Sequence, residues 1–170
     1  ARYAVNFVDQ HTGGTWVYLL RNKTEVLQAF TKFHVDVVSQ HGFAVRQLRS
    51  DNGSEFKNKK LRRYLSQHNI RYRYSAPYSP EYNGIAERSF RTLMFDARAM
   101  LRVANLPASF WGLALVNAAA IGNMVGSDKR PITPHQAVYG ELPDFARIRL
   151  FGAPSFVHTD DRENARTKLD

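Results

Sequence analysis

The sequence predicts a single α/β domain with a mixed sheet. At 170 residues, one domain is the default, and it is long enough to bury a substantial core. Apolar residues make up 44% of the chain and aromatic residues 12%, as is typical of a globular enzyme domain. The predicted elements run strand, strand, helix, strand, helix, strand, helix, helix, an order that favours an α/β fold.

The first half of the chain supplies the predicted sheet. Residues 3–8 and 15–20 are rich in Val, Tyr, Phe and Trp, and turn residues 11–14 join them, so we expect a hairpin. Asn22 and Glu25 then predict a capped helix start. The helix continues with apolar residues at helical spacing and ends at Gly42: Val26, Phe30, Phe33 and Val37. A strand at 45–49, a short basic helix carrying Leu61, Tyr64 and Leu65, and a strand at 70–74 follow.

The second half is predicted to be mainly helical. Residues 75–83 are rich in Pro and Tyr and indicate a loop. A long helix follows, with its buried side formed by Ala86, Phe90, Leu93, Ala97 and Leu101. Pro107 suits the first turn of another helix, which runs through Trp111, Leu113, Val116 and Ala120. A further strand is predicted at 151–157. We expect residues 1–158 to form the domain and 159–170 a charged tail or the start of a linker.

The net charge of +9 indicates a polyanionic partner. Seven cations lie within seventeen residues: Lys57, Lys59, Lys60, Arg62, Arg63, Arg71 and Arg73. On charge alone, a solvated helix face explains this cluster equally well. The chain has no cysteine, which excludes disulfides and Cys-based zinc sites, and its six histidines show no zinc-ligand spacing. No apolar run approaches the length of a membrane span.

Two acidic residues carry the strongest functional signal. Asp51 lies in Ser50-Asp51-Asn52-Gly53 at a predicted strand end, and Glu87 lies in the first turn of the long helix, with thirty-five residues between them. Converging carboxylates can hold Mg²⁺ for in-line phosphodiester chemistry. Each residue also has an ordinary structural explanation, because Asp-Asn-Gly is a common turn and the helix dipole favours an acid in the first turn.

The longer motifs resemble one family. The pattern S-D-N-G-x-E-F followed by P-Y-S-P-x-x-N-G-x-A-E-R resembles the catalytic core of retroviral and retrotransposon integrases. Four flanking segments are similar to the copia-type (Pseudoviridae) branch of LTR retrotransposons: residues 15–20, Leu106-Pro107-x-x-Phe110-Trp111, Thr133-Pro134 and residues 150–153. The resemblance implies a ribonuclease-H-like fold, in which helices flank a mixed sheet, and Mg²⁺ or Mn²⁺ as cofactor.

The resemblance also assigns roles to the acidic residues. It implies that Asp51 is the second and Glu87 the third acidic metal ligand. The first ligand would lie on a strand preceding Ala1, so we expect that strand to be missing and this fragment to be inactive in isolation. Asp9 is then expected to cap a turn, and a catalytic role for Asp9 is the less favoured alternative.

Six further residues are expected to contact DNA. The resemblance implies that the loop before Glu87, which contains Tyr78 and Asn83, touches the DNA end. Ordinary loop packing for the tyrosine and helix capping for the asparagine are the alternatives. Four cations near the two carboxylates complete the set: Lys57, Lys59, Arg88 and Arg91. Exposed helix positions explain Arg88 and Arg91 about as well as phosphate contacts do.

The implied function is 3′-end processing and strand transfer, which are two phosphoryl transfers on DNA. Element-end DNA and target DNA would be the partners, with a homo-oligomer, no membrane, and residence in the nucleus and in a cytoplasmic virus-like particle. Two alternatives remain open: a transposase or nuclease of the same fold, and a non-catalytic DNA-binding or assembly module from a decayed or domesticated element. Departures from the family pattern at residues 10–14, Glu81 and residues 123–126 keep the second alternative open.

Overall fold

The computed structural model of this chain describes residues 1–38, 42, 44–51, 53, 56, 58–74, 84–126 and 130–154. Four strands and five α-helices lie in these residues: β1 (Tyr3–Val8), β2 (Thr15–Leu20), α1 (Val26–Phe33), β3 (Gln47–Ser50), α2 (Lys59–Gln67), β4 (Arg71–Tyr74), α3 (Gly84–Val103), α4 (Trp111–Met124) and α5 (Pro134–Tyr139). Short 3₁₀ turns precede α1 and α4, and a π-helical turn, His34–Val38, continues α1.

Strands β1 and β2 form the predicted antiparallel hairpin. Their register runs from Tyr3 opposite Leu20 to Val8 opposite Thr15. The turn closes through the backbone of Asp9, whose N–H donates to the Gly14 carbonyl and whose carbonyl accepts from the Gly13 N–H, both at 2.9 Å. Gly13 has a φ of +79°, a conformation that L side chains rarely adopt, so the glycine at this position is required by the turn.

The hairpin separates two apolar cores because successive side chains of a strand point to opposite faces. Phe7 from β1 joins Phe30 and Phe33 from α1, with ring centroids 5.6 and 5.1 Å from that of Phe7. Phe30 is fully buried, which is worth roughly 1.5–3 kcal/mol for a side chain of this size. Leu61 and Leu65 from α2 complete this first core.

The second core lies on the other face of the hairpin. Small residues of α4 pack against α3 and β2, and Gly112 comes so close to Leu19 that a Cβ added there would lie 2.8 Å from the leucine Cδ1. The buried residues of this core are Leu93, Ala97, Ala114, Leu115, Ala118 and Ala119. Ala4 and Val17 of the hairpin pack against them, so α3 and α4 are held on the face opposite α1.

Strands β3 and β4 form a separate parallel pair. The register places Gln47 beside Arg71 and Arg49 beside Arg73. Leu48 and Tyr72 pack against the first core. The pair therefore shares that core with the hairpin, and its alternate residues point away from the core.

Several local predictions differ from the structure. Asn22 makes no side-chain capping bond, and Glu25 instead accepts a hydrogen bond from the Arg21 N–H at 2.9 Å. The predicted strand 45–49 is Gln47–Ser50. Residues 151–154 form a turn where a strand was predicted, while 155–157 and the tail 159–170 lie outside the described residues.

Helix α4 is apolar on both sides, so its sequence did not show which side would be buried. Leu113 and Val116, which the sequence placed along this helix, are 56% and 39% exposed, because the core takes the neighbouring small residues instead. Helix α5 was not predicted, although its signals are complete: Thr133 accepts from the Gln136 N–H at 3.0 Å, Pro134 opens the helix, and Gly140 ends it in the left-handed conformation.

Replacing Gly152 with Ala will destabilise the domain by about 1–3 kcal/mol. Gly152 has a φ of +80°, and a Cβ there would lie 2.6 Å from the Ala104 Cβ. Gly122 in α4 is the matched control, because nothing lies within 4 Å of its added Cβ. Gly122→Ala should raise stability by roughly 0.5–1 kcal/mol. Urea unfolding of both variants measures this, and equal effects of the two substitutions would contradict the packing of Gly152.

Candidate active site

Asp51 directly follows β3 and is exposed. Its Oδ1 accepts a hydrogen bond from the Gly53 N–H at 3.1 Å, an Asx turn that sets the direction of the chain after the strand. The Phe56 N–H then donates to the Gly53 carbonyl at 3.1 Å. The carboxylate is therefore held on a short turn at the carboxyl end of β3 and is open to a ligand.

A pair of hydroxyl groups, from buried Ser50 and half-buried Tyr72, lies beneath this turn. The Ser50 Oγ lies 2.8 Å from the Tyr72 Oη, 2.9 Å separates the Ser50 Oγ from the Asp51 carbonyl, and 3.1 Å separates the Tyr72 Oη from the Phe56 carbonyl. Two hydroxyl protons serve these three contacts, so at most two of the three are hydrogen bonds at one time. Because Ser50 is 5% exposed, this network ties the backbone of Asp51 to β4 away from competing water.

Glu87 lies in the first turn of α3 and is exposed, as its motif predicted. Helix α3 is held on the hairpin by its second-core residues Leu93 and Ala97. The Arg88 guanidinium folds back over the helix start, since a Cβ added at Gly84 would lie 3.0 Å from the Arg88 Nη1. Glu87 and a cation thus occupy the amino end of one anchored helix.

Polar contacts tether the start of α3 to the hairpin. The Asn6 side chain donates to the Ala86 carbonyl at 3.4 Å, and the Ser89 and Thr15 hydroxyl oxygens lie 3.4 Å apart. Asn123 at the end of α4 binds the same part of β2. Its side chain accepts a hydrogen bond from the Thr15 N–H and donates one to the Thr15 carbonyl, both at 2.8 Å. These contacts limit sliding of α3 along the sheet, and with it movement of Glu87.

The other predicted site residues fall into two groups. Lys59, Arg88 and Arg91 are exposed, and Lys59 opens α2 a few residues beyond Asp51. Tyr78, Asn83 and Lys57 lie outside the described residues. No hydrogen bond joins Asp51 to Glu87 in the described part of the chain.

Asp9 caps the hairpin turn, which confirms the structural role predicted for it. Its Oδ2 accepts from the Thr12 N–H at 2.9 Å and from the Thr12 hydroxyl at 2.7 Å, and its Oδ1 accepts from the His11 N–H at 3.3 Å. Partial burial by itself would raise the pKa of Asp9. The hydrogen bonds have a larger combined effect in the opposite direction, so the pKa lies below its ordinary value of 3.8.

The donor chemistry of Asp51 and Glu87 suits a hard divalent cation, because Mg²⁺ prefers carboxylate oxygens and binds through one or two of them. Within the described residues, no group of three His, Cys, Asp or Glu side chains is placed to hold a metal ion. Asp51 and Glu87 are exposed and offer oxygen donors, so they could supply two of the ligands of such a site.

The sequence did not assign the residues that position these carboxylates. Ser50 belongs to the Asp51 motif, and its place before the acid was the available signal. Nothing in the sequence indicated that Tyr72, twenty-two residues later, would meet it. Asn123 was noted only as a departure from the family pattern.

The comparisons with known proteins agree with this architecture. The model of the family described as "Integrase core domain" matches residues 1–80. The Retrovirus-related Pol polyprotein from transposon TNT 1-94 of Nicotiana tabacum is 37% identical over 172 residues, covering 99% of this chain and 13% of that polyprotein. The Pol polyprotein from transposon RE2 of Arabidopsis thaliana is 34% identical, covering 91% of this chain and 11% of the polyprotein. The chain thus spans about an eighth of the curated relatives it matches.

Solved structures show the same fold. The catalytic core domain of BIV integrase matches with a TM-score of 0.61 and 20% identity, covering 79% of this chain and 84% of that one. A chain of the simian T-cell lymphotropic virus intasome, in complex with PP2A regulatory subunit B56 gamma, also has a TM-score of 0.61, with 19% identity over 92% of this chain and 53% of that chain.

The fold is therefore ribonuclease-H-like, as the motifs implied, and its class is that of the retroviral integrase cores. The sequence matches support an integrase core domain of the copia type for this chain.

Replacing Tyr72 with Phe will destabilise the domain by about 1–2 kcal/mol, because the change removes one member of the buried hydroxyl network. Tyr3→Phe is the control, since the Tyr3 ring is 39% exposed. Thermal unfolding of both variants tests this, and an equally small effect in both would mean that the network does not hold the Asp51 turn.

Replacing Asp9 with Asn will remove a pH-dependent part of the stability. Because the pKa of folded Asp9 lies below 3.8, its contribution is fully present above that pH and is lost as the pH falls through the folded pKa. Asp9→Asn should therefore cost roughly 1 kcal/mol at neutral pH and less at pH 3. Urea unfolding at both pH values measures the difference, with Asp96→Asn as control. A cost independent of pH would contradict the turn-capping role of the carboxylate.

Proposed function

We propose that this domain is the catalytic core of a copia-type retrotransposon integrase that carries out metal-dependent phosphoryl transfer on DNA. The reactions are 3′-end processing and strand transfer. The observation that carries the proposal is the placement of Asp51 at the end of β3 and Glu87 at the start of α3, each within its integrase motif and both on an integrase core fold.

Asp51 and Glu87 are the residues that would hold Mg²⁺ or Mn²⁺, together with the third acidic ligand that the resemblance implies. Integrase core domains generally use divalent metals, and a bound pair supplies charge stabilisation for the entering and leaving oxygens. Both carboxylates suit this role because they are exposed. Among the described residues, the hydrogen bond to the Asp51 carboxylate comes from the Gly53 N–H to Oδ1.

The remaining residues would position DNA around these carboxylates. Arg88 lies folded over the start of α3, where the positive end of the helix dipole already favours an anion. Arg91 and Lys59 are exposed cations suited to phosphate oxygens. Tyr78 and Asn83 join this proposal through their motif, and Lys57 through the cation cluster that follows Asp51.

The partners proposed for this core are element-end DNA, target DNA and further copies of the chain. An integrase neighbour solved within an intasome supports assembly on DNA in general. The proposed locations are the nucleus and a cytoplasmic virus-like particle. No helix within the described ranges is both long and apolar enough to cross a bilayer.

Glu87→Gln and Asp51→Asn will each lower the rate of strand transfer on the order of a thousandfold or more. Each change removes a metal ligand and with it several kcal/mol of transition-state stabilisation, and about 1.4 kcal/mol corresponds to a factor of ten in rate. The assay uses the full polypeptide that carries this domain, with Mg²⁺ and a labelled element end, and it measures joining and DNA binding separately. Glu141→Gln is the matched control, because it removes the same charge from an exposed site on another element.

The assay also separates the alternatives. DNA binding without joining, unchanged by Glu87→Gln, would replace this proposal with a non-catalytic binding module. Cleaved but unjoined products that require Glu87 would indicate a nuclease, and joining in a different DNA arrangement would indicate a transposase of the same fold.

A further inference from the structure

The parallel pair β3–β4 carries arginines where a parallel sheet normally carries apolar residues. Parallel strands are usually buried on both faces and read as continuous apolar runs. Here one face contributes Leu48 and Tyr72 to the first core, while the opposite face carries Arg49, Arg71 and Arg73 beside Gln47. We name these three arginines the arginine face.

The arginine face concentrates positive charge on two short strands. Arg49 and Arg73 are register partners on strands about 4.8 Å apart, and Arg71 precedes Arg73 by about 6.6 Å along β4. Arg71 and Arg73 are exposed, and neither forms a salt bridge with another described residue. Two neighbouring exposed arginines of this kind favour a polyanionic partner.

The arginine face ends next to Asp51. Leu48 and Tyr72 point into the first core, so Arg49, Arg71 and Arg73 point away from it. Asp51 directly follows β3, the strand that carries Arg49. A ligand bound on the arginine face would therefore lie close to the turn that carries Asp51.

We propose that the arginine face binds the phosphate backbone of duplex DNA and orients the duplex toward Asp51. This inference rests on the proposed function and adds a surface on β3 and β4 to it. Guanidinium groups pair with phosphate oxygens through two hydrogen bonds, so an array of arginines matches a row of phosphates. Duplex DNA fits better than an acidic protein, because the arginine face contains no apolar side chain that could anchor a peptide.

The test is the salt dependence of duplex binding by the full polypeptide, with EDTA in place of divalent metal. Arg71→Gln with Arg73→Gln should weaken binding roughly tenfold at low salt and lower the slope of log K against log salt by about 2 units, near one for each phosphate that is no longer neutralised. Arg98→Gln with Arg102→Gln is the matched control, because these substitutions remove the same charge from exposed positions further along α3 from Glu87. The control should change the slope by less than about half a unit.

A structural role for the arginines predicts a different result. If Arg71 and Arg73 served only the fold, their replacement would lower the thermal midpoint, whereas exposed arginines that serve a ligand can be replaced with the midpoint unchanged. Equal slope changes in the test and control variants would overturn the arginine face as a DNA site. Polyglutamate serves as a probe for an acidic protein, and loss of affinity for polyglutamate with unchanged affinity for DNA would also overturn the proposal.

The outcome is separable from that of the proposed function. If Glu87→Gln abolishes joining while Arg71→Gln with Arg73→Gln binds DNA normally, the arginine face is wrong and the integrase proposal stands. If the polypeptide joins no DNA but loses duplex binding with the two arginines, the arginine face stands and the catalytic proposal falls.

Discussion

The alternation of side chains along the β1–β2 hairpin is the constraint on which the rest of the fold depends. Large aromatic residues such as Phe7 and Trp16 point to one face and build the first core with α1 and α2. Smaller residues such as Ala4 and Val17 point to the other, where they meet α3 and α4. A one-residue change of register would exchange these faces and leave neither core filled.

The two carboxylates are positioned by different physical means. Asp51 depends on a buried hydroxyl network that joins Ser50 to Tyr72, so its placement rests on hydrogen bonds shielded from water. Glu87 depends on the packing of α3 and on side-chain tethers from Asn6 and Thr15. The two acids can therefore be disturbed independently, by changes far from each other in the sequence.

Departures from the family motif acquire a structural meaning in this fold. Residues 10–14, which differ from the family pattern, form a turn capped by Asp9, and the Arg130 side chain donates to the Gln10 carbonyl at 3.1 Å. Asn123, in the altered run that begins at the end of α4, forms two hydrogen bonds with the backbone of Thr15. Both altered segments form specific contacts, so they are built into the fold of this chain.

The sequence by itself determined the fold class, most helices and strands, and the carrier elements of Asp51 and Glu87, because hydrophobic periodicity and motif spacing are local properties of the chain. It also determined that Asp9 caps a turn. Tertiary structure alone decided which side of α4 is buried, that β3 and β4 pair in parallel, and that Arg49 lies beside Arg73. These features depend on contacts between distant segments, and an apolar helix or an isolated arginine carries no local signal of the surface it will meet.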